Sequence, residues 1–169
     1  WVLATAGLAA LAAAAFESRS AGVARAAETA GATEATLPSG ELIYVPVYSS
    51  ILYEDGKRKL QLDATLSIHN VNPDRPITVT RADYFNADGT LIKKHVGKPT
   101  VLGPLQTLNL VVAKTAGENT VGANFLVEWQ AAGEVNSPIV ETLMVNASSN
   151  LGASFTSTGR VLKRLPPLK

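Results

Sequence analysis

The sequence of 169 residues contains no cysteine, and this absence excludes several kinds of site at once. Without thiols the chain cannot form a disulfide, a thiolate metal site or the attachment point of a c-type haem. An exported protein needs no disulfides when its hydrophobic core is large enough. The lack of cysteine is therefore compatible with export.

Histidine is nearly as scarce, with only His69 and His95, and neither belongs to a spacing typical of a metal site. The sequence also lacks the nucleophile elbow GxSxG, the Walker loop and the dinucleotide motif GxGxxG. Glu128 and Glu141 are single polar positions in apolar segments, which favours outward-facing side chains over a catalytic pair. We therefore expect no enzyme, no bound metal and no cofactor.

An excess of one charge sign is also missing, because 15 basic and 14 acidic residues leave a formal net charge of +1. This balance gives no reason to expect nucleic acid as a partner. Basic residues do cluster at positions 57–59, 93–94 and 163–164. These clusters fit solvated turns as well as they fit contact with anionic headgroups, so membrane lipid stays among the expected partners.

The longest apolar run comes early, where residues 2–16 carry no charge and consist largely of alanine. A secretory leader has an apolar centre of about 7–15 residues and a small-residue cleavage site, which a cut after Ala26 or Ala27 would fit. The alternative is a retained helix, since about sixteen helical residues span roughly 24 Å of the ~30 Å hydrocarbon core. We expect retention, as a single transmembrane helix over residues 1–18.

Small side chains support the interpretation of a retained helix. Ala6, Gly7 and Ala10 are spaced so that they share one helical face. Small residues let membrane helices approach closely, although alanine and glycine are also simply common in signal segments. We expect Ala6, Gly7 and Ala10 to pack against other membrane helices. The expected location is the bacterial inner membrane, with the C-terminal domain in the periplasm.

Residues 19–37 have no sustained apolar face and are expected to form a linker. From residue 38 to residue 165, short bursts of β-branched and aromatic residues between turn signals predict about eight strands. The best fit is a mainly β fold, an immunoglobulin-like antiparallel β-sandwich, with a small barrel as the alternative. The final segment, VLKRLPPLK, is expected to be a basic tail.

The clearest strand pattern is LQLDATLSIHN at residues 60–70. Its leucines, alanine and isoleucine alternate with polar residues, as expected for a half-buried strand. Pro46 lies within ELIYVPVYS and lacks a backbone donor, so that segment is predicted to be an edge strand or to contain a bulge.

Aromatic residues make up only 6% of the chain, yet Tyr44, Tyr48 and Tyr53 fall close together around this proline. Such tyrosines either close the end of the domain, with their hydroxyls in water, or form an amphipathic surface for a partner. Trp129 poses the same choice between core and interface. We treat Tyr44, Tyr48, Tyr53 and Trp129 as the candidate partner interface.

Four segments carry a family resemblance: IYVPVYS, LSIHNVNPDRPITV, ANFLVEW and SFTSTGR. Together they resemble an uncharacterised bacterial family of exported domains, a domain of unknown function, over about residues 42–162. The resemblance implies a secreted or lipid-anchored periplasmic β-domain with no assigned catalytic residues, so it transfers no functional site. This chain differs near its N-terminus, where the lipobox cysteine is missing.

Two functions of different classes follow from these observations. The first is a non-catalytic, single-span accessory subunit of a bacterial membrane complex, photosynthetic or respiratory, whose β-domain caps the periplasmic face beside the other subunits. The second is a membrane-tethered periplasmic module that binds a small molecule, lipid or glycan, which predicts a concave pocket with a few converging polar groups. A hydrolase would instead require a pocket lined by Glu128, Glu141 or His69.

Overall fold

The structure, a computed structural model, describes residues 36–112, 121–146 and 152–169. Within these residues every regular element is a β-strand, and all strand pairs are antiparallel. The predicted mainly β class is confirmed. The predicted helix over residues 1–18 lies outside the described residues, and no helix within the described ranges is long and apolar enough to span a membrane.

The strands, numbered in chain order, form two larger sheets and one hairpin. The larger sheet has the spatial order β12 (Arg160–Arg164), β1 (Gly40–Val47), β9 (Ala123–Gln130), β5 (Ile77–Phe85) and β6 (Leu91–Lys94), with β7 (Thr100–Leu102) also paired to β5. The smaller sheet has the order β11 (Ala153–Thr158), β10 (Ile139–Asn146), β4 (Asp63–His69) and β8 (Thr107–Val112). The hairpin joins β2 (Ser50–Tyr53) to β3 (Arg58–Gln61).

Alternate residues of both larger sheets build a single hydrophobic core. The predicted alternation holds in the segment LQLDATLSIHN, where four inward residues are almost completely buried: Leu62, Ala64, Leu66 and Ile68. The bulkiest buried side chains come from the larger sheet: Trp129, Tyr84 and Phe125. The inward-facing residues of both larger sheets therefore pack together in one core.

A bulge at Thr80 changes which residues of β5 face the core. The pairing with β9 shifts between Val79 and Arg81, so Thr80 is the additional residue. Val79 and Ala82 are consequently both buried in the core, although strict alternation would place them on opposite faces. The same shift turns Arg81 onto the face of the larger sheet that lies away from the core.

Twelve strands occur among the described residues, more than the number predicted. The chain leaves the hairpin at Gln61 and enters the smaller sheet at Asp63 without breaking the alternation. The segment predicted to be a basic tail forms β12 instead and pairs with β1. All five residues of β12 are exposed, so no hydrophobic period reveals this strand in the sequence.

Pro46 does not mark an edge strand, because β1 lies between β12 and β9. The pairing with β12 nevertheless ends at Tyr44, and it contains a bulge between Leu42 and Ile43. Pro46 therefore lies in the part of β1 that pairs only with β9.

Gly159 carries the chain from the smaller sheet into the larger one. Its N–H donates to the carbonyl of Val140 at 2.8 Å. A Cβ atom at this position would lie 2.6 Å from Cγ2 of Ile43 and 3.0 Å from the Val140 oxygen. The close approach of three chain segments therefore requires glycine here.

Candidate binding site

An apolar pocket of about 440 Å³ opens at one end of the core, beside the start of β5 and the end of β9. Its volume lies within the ~300–1,000 Å³ range of small-molecule sites. The apolar part of the wall consists of Pro76, Val101, Ala131, Ala132, Val135 and Leu168. These residues come from four separate stretches of the chain, so the pocket depends on how the loops are held together. We refer to it as the end pocket.

Buried asparagines join the loops that border the end pocket. The Asn70 amide nitrogen, Nδ2, donates to three backbone carbonyls in the neighbouring loops: Arg75 at 2.8 Å, Leu102 at 3.2 Å and Gly103 at 2.9 Å. The Asn70 carbonyl oxygen, Oδ1, accepts from both the N–H and the Nδ2 of Asn72, at 3.1 and 2.9 Å. Asn72 Nδ2 donates to the Asn136 carbonyl at 3.0 Å, and the Asn136 N–H donates back to Asn72 Oδ1 at 2.9 Å.

The C-terminal residues form the remaining wall of the end pocket. The Leu168 N–H donates to the carbonyl of Ala131 at 2.9 Å, and Gln130 Nε2 donates to the carbonyl of Pro166 at 2.8 Å. The segment after β9 is held in turn, because the Val135 N–H donates to the carbonyl of Pro38 at 2.9 Å. These three hydrogen bonds therefore hold two walls of the pocket in position.

Arg75 is the one charged residue among the described side chains that line the end pocket. Its Nη1 donates to the carbonyl of Glu134 at 3.0 Å, and no carboxylate in the described part of the chain forms an ion pair with it. Its main chain is fixed by the bond from Asn70. Arg75 also lines a smaller polar pocket of about 220 Å³, together with Asp74 and Glu134.

A second concave region, which we call the face cleft, lies on the side of the larger sheet away from the core. It has a volume of about 440 Å³ and is lined mostly by polar and charged side chains: Thr80, Arg81, Asp83, Lys94 and Glu128. Arg81 Nε donates to Oδ2 of the buried Asp83 at 2.6 Å. Thr80 Oγ1 donates to Glu128 Oε1 at 2.9 Å. Both carboxylates therefore already have partners inside the cleft.

Of the three residues considered for hydrolytic chemistry, His69 and Glu141 lie close together on the smaller sheet, and Glu128 does not join them. His69 lies on the smaller sheet, with its Nδ1 2.9 Å from Oγ1 of Thr107 and its Nε2 3.7 Å from Oε1 of Glu141. Glu128 lies in the larger sheet, so it does not meet Glu141. His95 packs edge-on against Phe125, with ring centroids 5.4 Å apart. No group of three or more candidate metal ligands occurs among the described residues.

The structure gives the three tyrosines of the candidate partner interface three different surroundings. Tyr44 lies opposite Leu126 on the larger sheet, on the face that carries the face cleft. Tyr48 packs against Phe155, with ring centroids 6.1 Å apart. Tyr53 belongs to the hairpin, where the Arg58 guanidinium lies 5.3 Å from the centre of its ring. No ring contact among the described residues joins two of these tyrosines, and their role in binding a partner stays a prediction.

Trp129, the fourth residue of the candidate interface, is completely buried. Its indole N–H donates to Oε2 of Glu41 at 3.2 Å. The sequence leaves two alternatives open for Trp129, the core or an interface. The structure shows that it lies in the core. Ala6, Gly7 and Ala10 lie outside the described residues, so their packing in a membrane stays a prediction.

Sequence reasoning missed Arg75 and the end pocket. The prolines and asparagines of VNPDRP are typical turn residues, so this segment predicts a turn and indicates no binding site. Asn70 and Asn72 are buried, at 2% and 3% exposure, and their burial marks these loops as ordered. Buried amides in loops follow no regular spacing, so the sequence does not indicate them. The other wall residues are ordinary apolar side chains from distant loops.

Comparison with known proteins gives a family and one similar solved structure. The fold is similar to that in "Crystal Structure of Thermotoga maritima 1070", at 12% identity and a TM-score of 0.45, with 71% of this chain and 92% of that chain covered. No curated protein matches the sequence. Residues 40–162 match the family described as "Protein of unknown function (DUF3124)", which confirms the resemblance to an uncharacterised family. Because the match covers well over half of the chain, this protein belongs to that family.

Proposed function

We propose that the β-domain is a non-catalytic binding module whose ligand is a small, largely apolar molecule held in the end pocket. The observation that carries the proposal is the pocket itself, with its apolar wall and Arg75 as the one charged residue that lines it among the described residues. An apolar cavity with few polar groups is the usual form of a small-molecule site, in which burial supplies affinity and the polar group fixes orientation.

The hydrogen bonds around the end pocket support this proposal. The bonds from Asn70 and from the C-terminal residues hold the walls in place without a ligand. A preformed site avoids the cost of ordering loops when the ligand binds. The apolar surface of the ligand that leaves water would then contribute about 25 cal/mol per Å².

A pair of glycine substitutions tests the proposal. A Cβ added at Gly133, which lines the end pocket, meets no atom within 4 Å, and the same is true at Gly97, which lines the face cleft. Gly133→Leu should therefore fill the end pocket without disturbing the fold, and Gly97→Leu is its matched control. The probe is the neutral fluorophore N-phenyl-1-naphthylamine, added to the purified full chain.

We expect Gly133→Leu to weaken binding of this probe by at least about tenfold, and Gly97→Leu to leave it unchanged. Thermal unfolding of both variants checks that each remains folded. Failure of the unaltered protein to bind the probe, or equal losses in the two variants, would contradict the proposal.

The setting of the module belongs to the proposal as well. We place the domain on the periplasmic side of a bacterial inner membrane, tethered by the helix expected over residues 1–18. The two larger sheets share one core, which supports the immunoglobulin-like sandwich expected from the sequence. In this setting the end pocket would meet small apolar molecules that are close to a bilayer.

A second candidate function is the accessory subunit of a membrane complex. The face of the larger sheet that carries Tyr44 favours it, because Leu126 and Tyr44 lie side by side there between the charged positions of β12 and β5. Aromatic and aliphatic side chains bordered by charges are typical of protein interfaces.

Gentle detergent extraction of native membranes, followed by sizing and mass spectrometry, tests the second function. Gly7→Leu should disrupt helix packing, whereas Ala12→Leu on the opposite helical face is the control. Co-migration with a large complex that is lost only in Gly7→Leu is the expected result. Migration of the unaltered chain alone would exclude an accessory subunit.

A further inference from the structure

We infer that the ligand of the end pocket is an anionic amphiphile, namely a monocarboxylate with a short acyl-like chain whose carboxylate binds Arg75. This inference rests on the proposed function, because it names the ligand class for the same site. It follows from the position, the partners and the charge of Arg75, the one charged residue that lines the apolar cavity among the described residues.

The charge of Arg75 is not neutralised by the protein. Among the described residues no carboxylate forms an ion pair with it, and its one hydrogen bond, from Nη1 to the carbonyl of Glu134, is 3.0 Å long. A guanidinium has five N–H donors in a planar fork, and two of them can bind both oxygens of a carboxylate in parallel. Most of these donors therefore remain for a ligand.

The pocket residues other than Arg75 indicate the charge of the ligand head and the position of its apolar chain. No acidic side chain is among the described residues that line it, so the pocket offers nothing to pair with a cationic head. Asp74 and Glu134 line the smaller polar pocket and do not line the end pocket. An anionic group is therefore favoured on the side of the end pocket, with its apolar chain against Pro76, Ala131 and Val135.

The size of the cavity favours one of two ligands that carry an anionic head and an apolar chain, a free carboxylic acid and a bilayer phospholipid. A free carboxylic acid presents one chain, whereas a bilayer phospholipid presents two longer chains and a phosphate. The volume of about 440 Å³ lies near the lower end of the range for small-molecule sites. A single short chain with a terminal carboxylate fits this space, so we favour the free acid over the lipid.

Calorimetric titration of the full chain with three eight-carbon probes tests the ligand class. The probes are octanoate, 1-octanol and octylammonium, which share a chain and differ in the charge of the head. We expect octanoate to bind about tenfold more tightly than 1-octanol, because a hydrogen bond to a charged group is strengthened in a partly apolar site. Octylammonium should bind more weakly than either.

Arg75→Gln should lower the affinity for octanoate to that for 1-octanol and leave the affinity for 1-octanol unchanged. The Arg75 side chain lies at an exposed position, so this change should not alter the fold. Arg58→Gln is the matched control, since Arg58 is an exposed arginine of the hairpin that lines neither concave region. Its affinities for all three probes should equal those of the unaltered chain.

The outcomes separate the two proposals. Equal binding of octanoate and 1-octanol, both lost in Gly133→Leu, would overturn the ligand class and keep the binding module. Absence of binding for all three probes, for the neutral naphthylamine and for phosphatidylglycerol vesicles would overturn both. Arg75-dependent binding to phosphatidylglycerol vesicles without octanoate binding would overturn the free acid and assign the site to lipid.

Discussion

The indole N–H of Trp129 donates to Oε2 of Glu41 across 3.2 Å, and both side chains are buried. The two residues are direct cross-strand partners in the pairing of β1 with β9. The carboxyl group thus gives the largest aromatic side chain of the core the acceptor that a buried indole requires. This contact explains how Trp129 is accommodated inside the core.

Glu41→Leu should therefore destabilise the domain more than Glu41→Gln. Glutamine keeps an acceptor oxygen near the indole, whereas leucine leaves a buried N–H without a partner, at a cost of about 1–3 kcal/mol. The free energy of unfolding in urea measures the difference. Equal stabilities of the two variants would show that the contact contributes nothing.

Gly159→Ala should destabilise the domain by about 1–3 kcal/mol, because its Cβ would lie 2.6 Å from Cγ2 of Ile43. Gly97→Ala is the matched control, since a Cβ there meets no atom within 4 Å. Thermal unfolding of both variants provides the measurement. If Gly159→Ala lowered the unfolding temperature no more than Gly97→Ala, the close packing described between the two sheets would be contradicted.

Asn70→Ala should lower the free energy of unfolding by about 2–3 kcal/mol. The Asn70 amide donates to three backbone carbonyls and accepts a hydrogen bond from Asn72. The control is Asn109→Ala, since Asn109 is exposed and its Oδ1 accepts only from Ser67 among the described contacts. Asn109→Ala should lower the free energy of unfolding by no more than about 0.5 kcal/mol. Comparable losses in chemical denaturation would argue against a special role of Asn70 in holding the loops.

The predicted pattern at LQLDATLSIHN shows what a sequence establishes well. Leu62, Ala64 and Leu66 point inward as expected, because the period of two follows directly from strand geometry. The same regularity conceals the change from the hairpin to the smaller sheet at Leu62, since the period continues through the break. A hydrophobic period of two indicates which face of a strand is buried. It does not indicate which neighbouring strand it pairs with.

The segment ITVTRADYF shows a second limit. Its sequence favours a regular alternation, but the bulge at Thr80 reverses the phase, so that Ala82 and Tyr84 are buried. The chain then places Arg81 and Asp83 in the face cleft. One additional residue in a strand has no signature in hydrophobicity, and its effect depends on the neighbouring strand.

The candidate binding site was the least predictable part of the molecule. Arg75, Val101 and Leu168 are far apart in the sequence, and only the folded loops bring them to one cavity. The segment that supplies Arg75 contains a turn signal, and turn signals predict local geometry alone. The charge and shape of this pocket therefore became visible only in three dimensions.

The C-terminal wall offers a further test of the site. Leu168→Ala should weaken binding of the neutral naphthylamine probe by roughly fivefold, because part of the apolar contact with the ligand is lost. Lys169→Ala changes a residue that does not line the pocket and should have no effect. If both variants bind like the unaltered chain, Leu168 does not contact the ligand.

The central claim, that the end pocket is the binding site, is tested most directly by a two-dimensional ¹H–¹⁵N NMR titration of the full chain with octanoate. We predict concentration-dependent shifts concentrated at Arg75, Val101, residues 131–133, Val135 and Leu168, all of which line the pocket. Shifts that cluster instead at Arg81 and Lys94 in the face cleft, or no shifts at saturating octanoate, would contradict the claim.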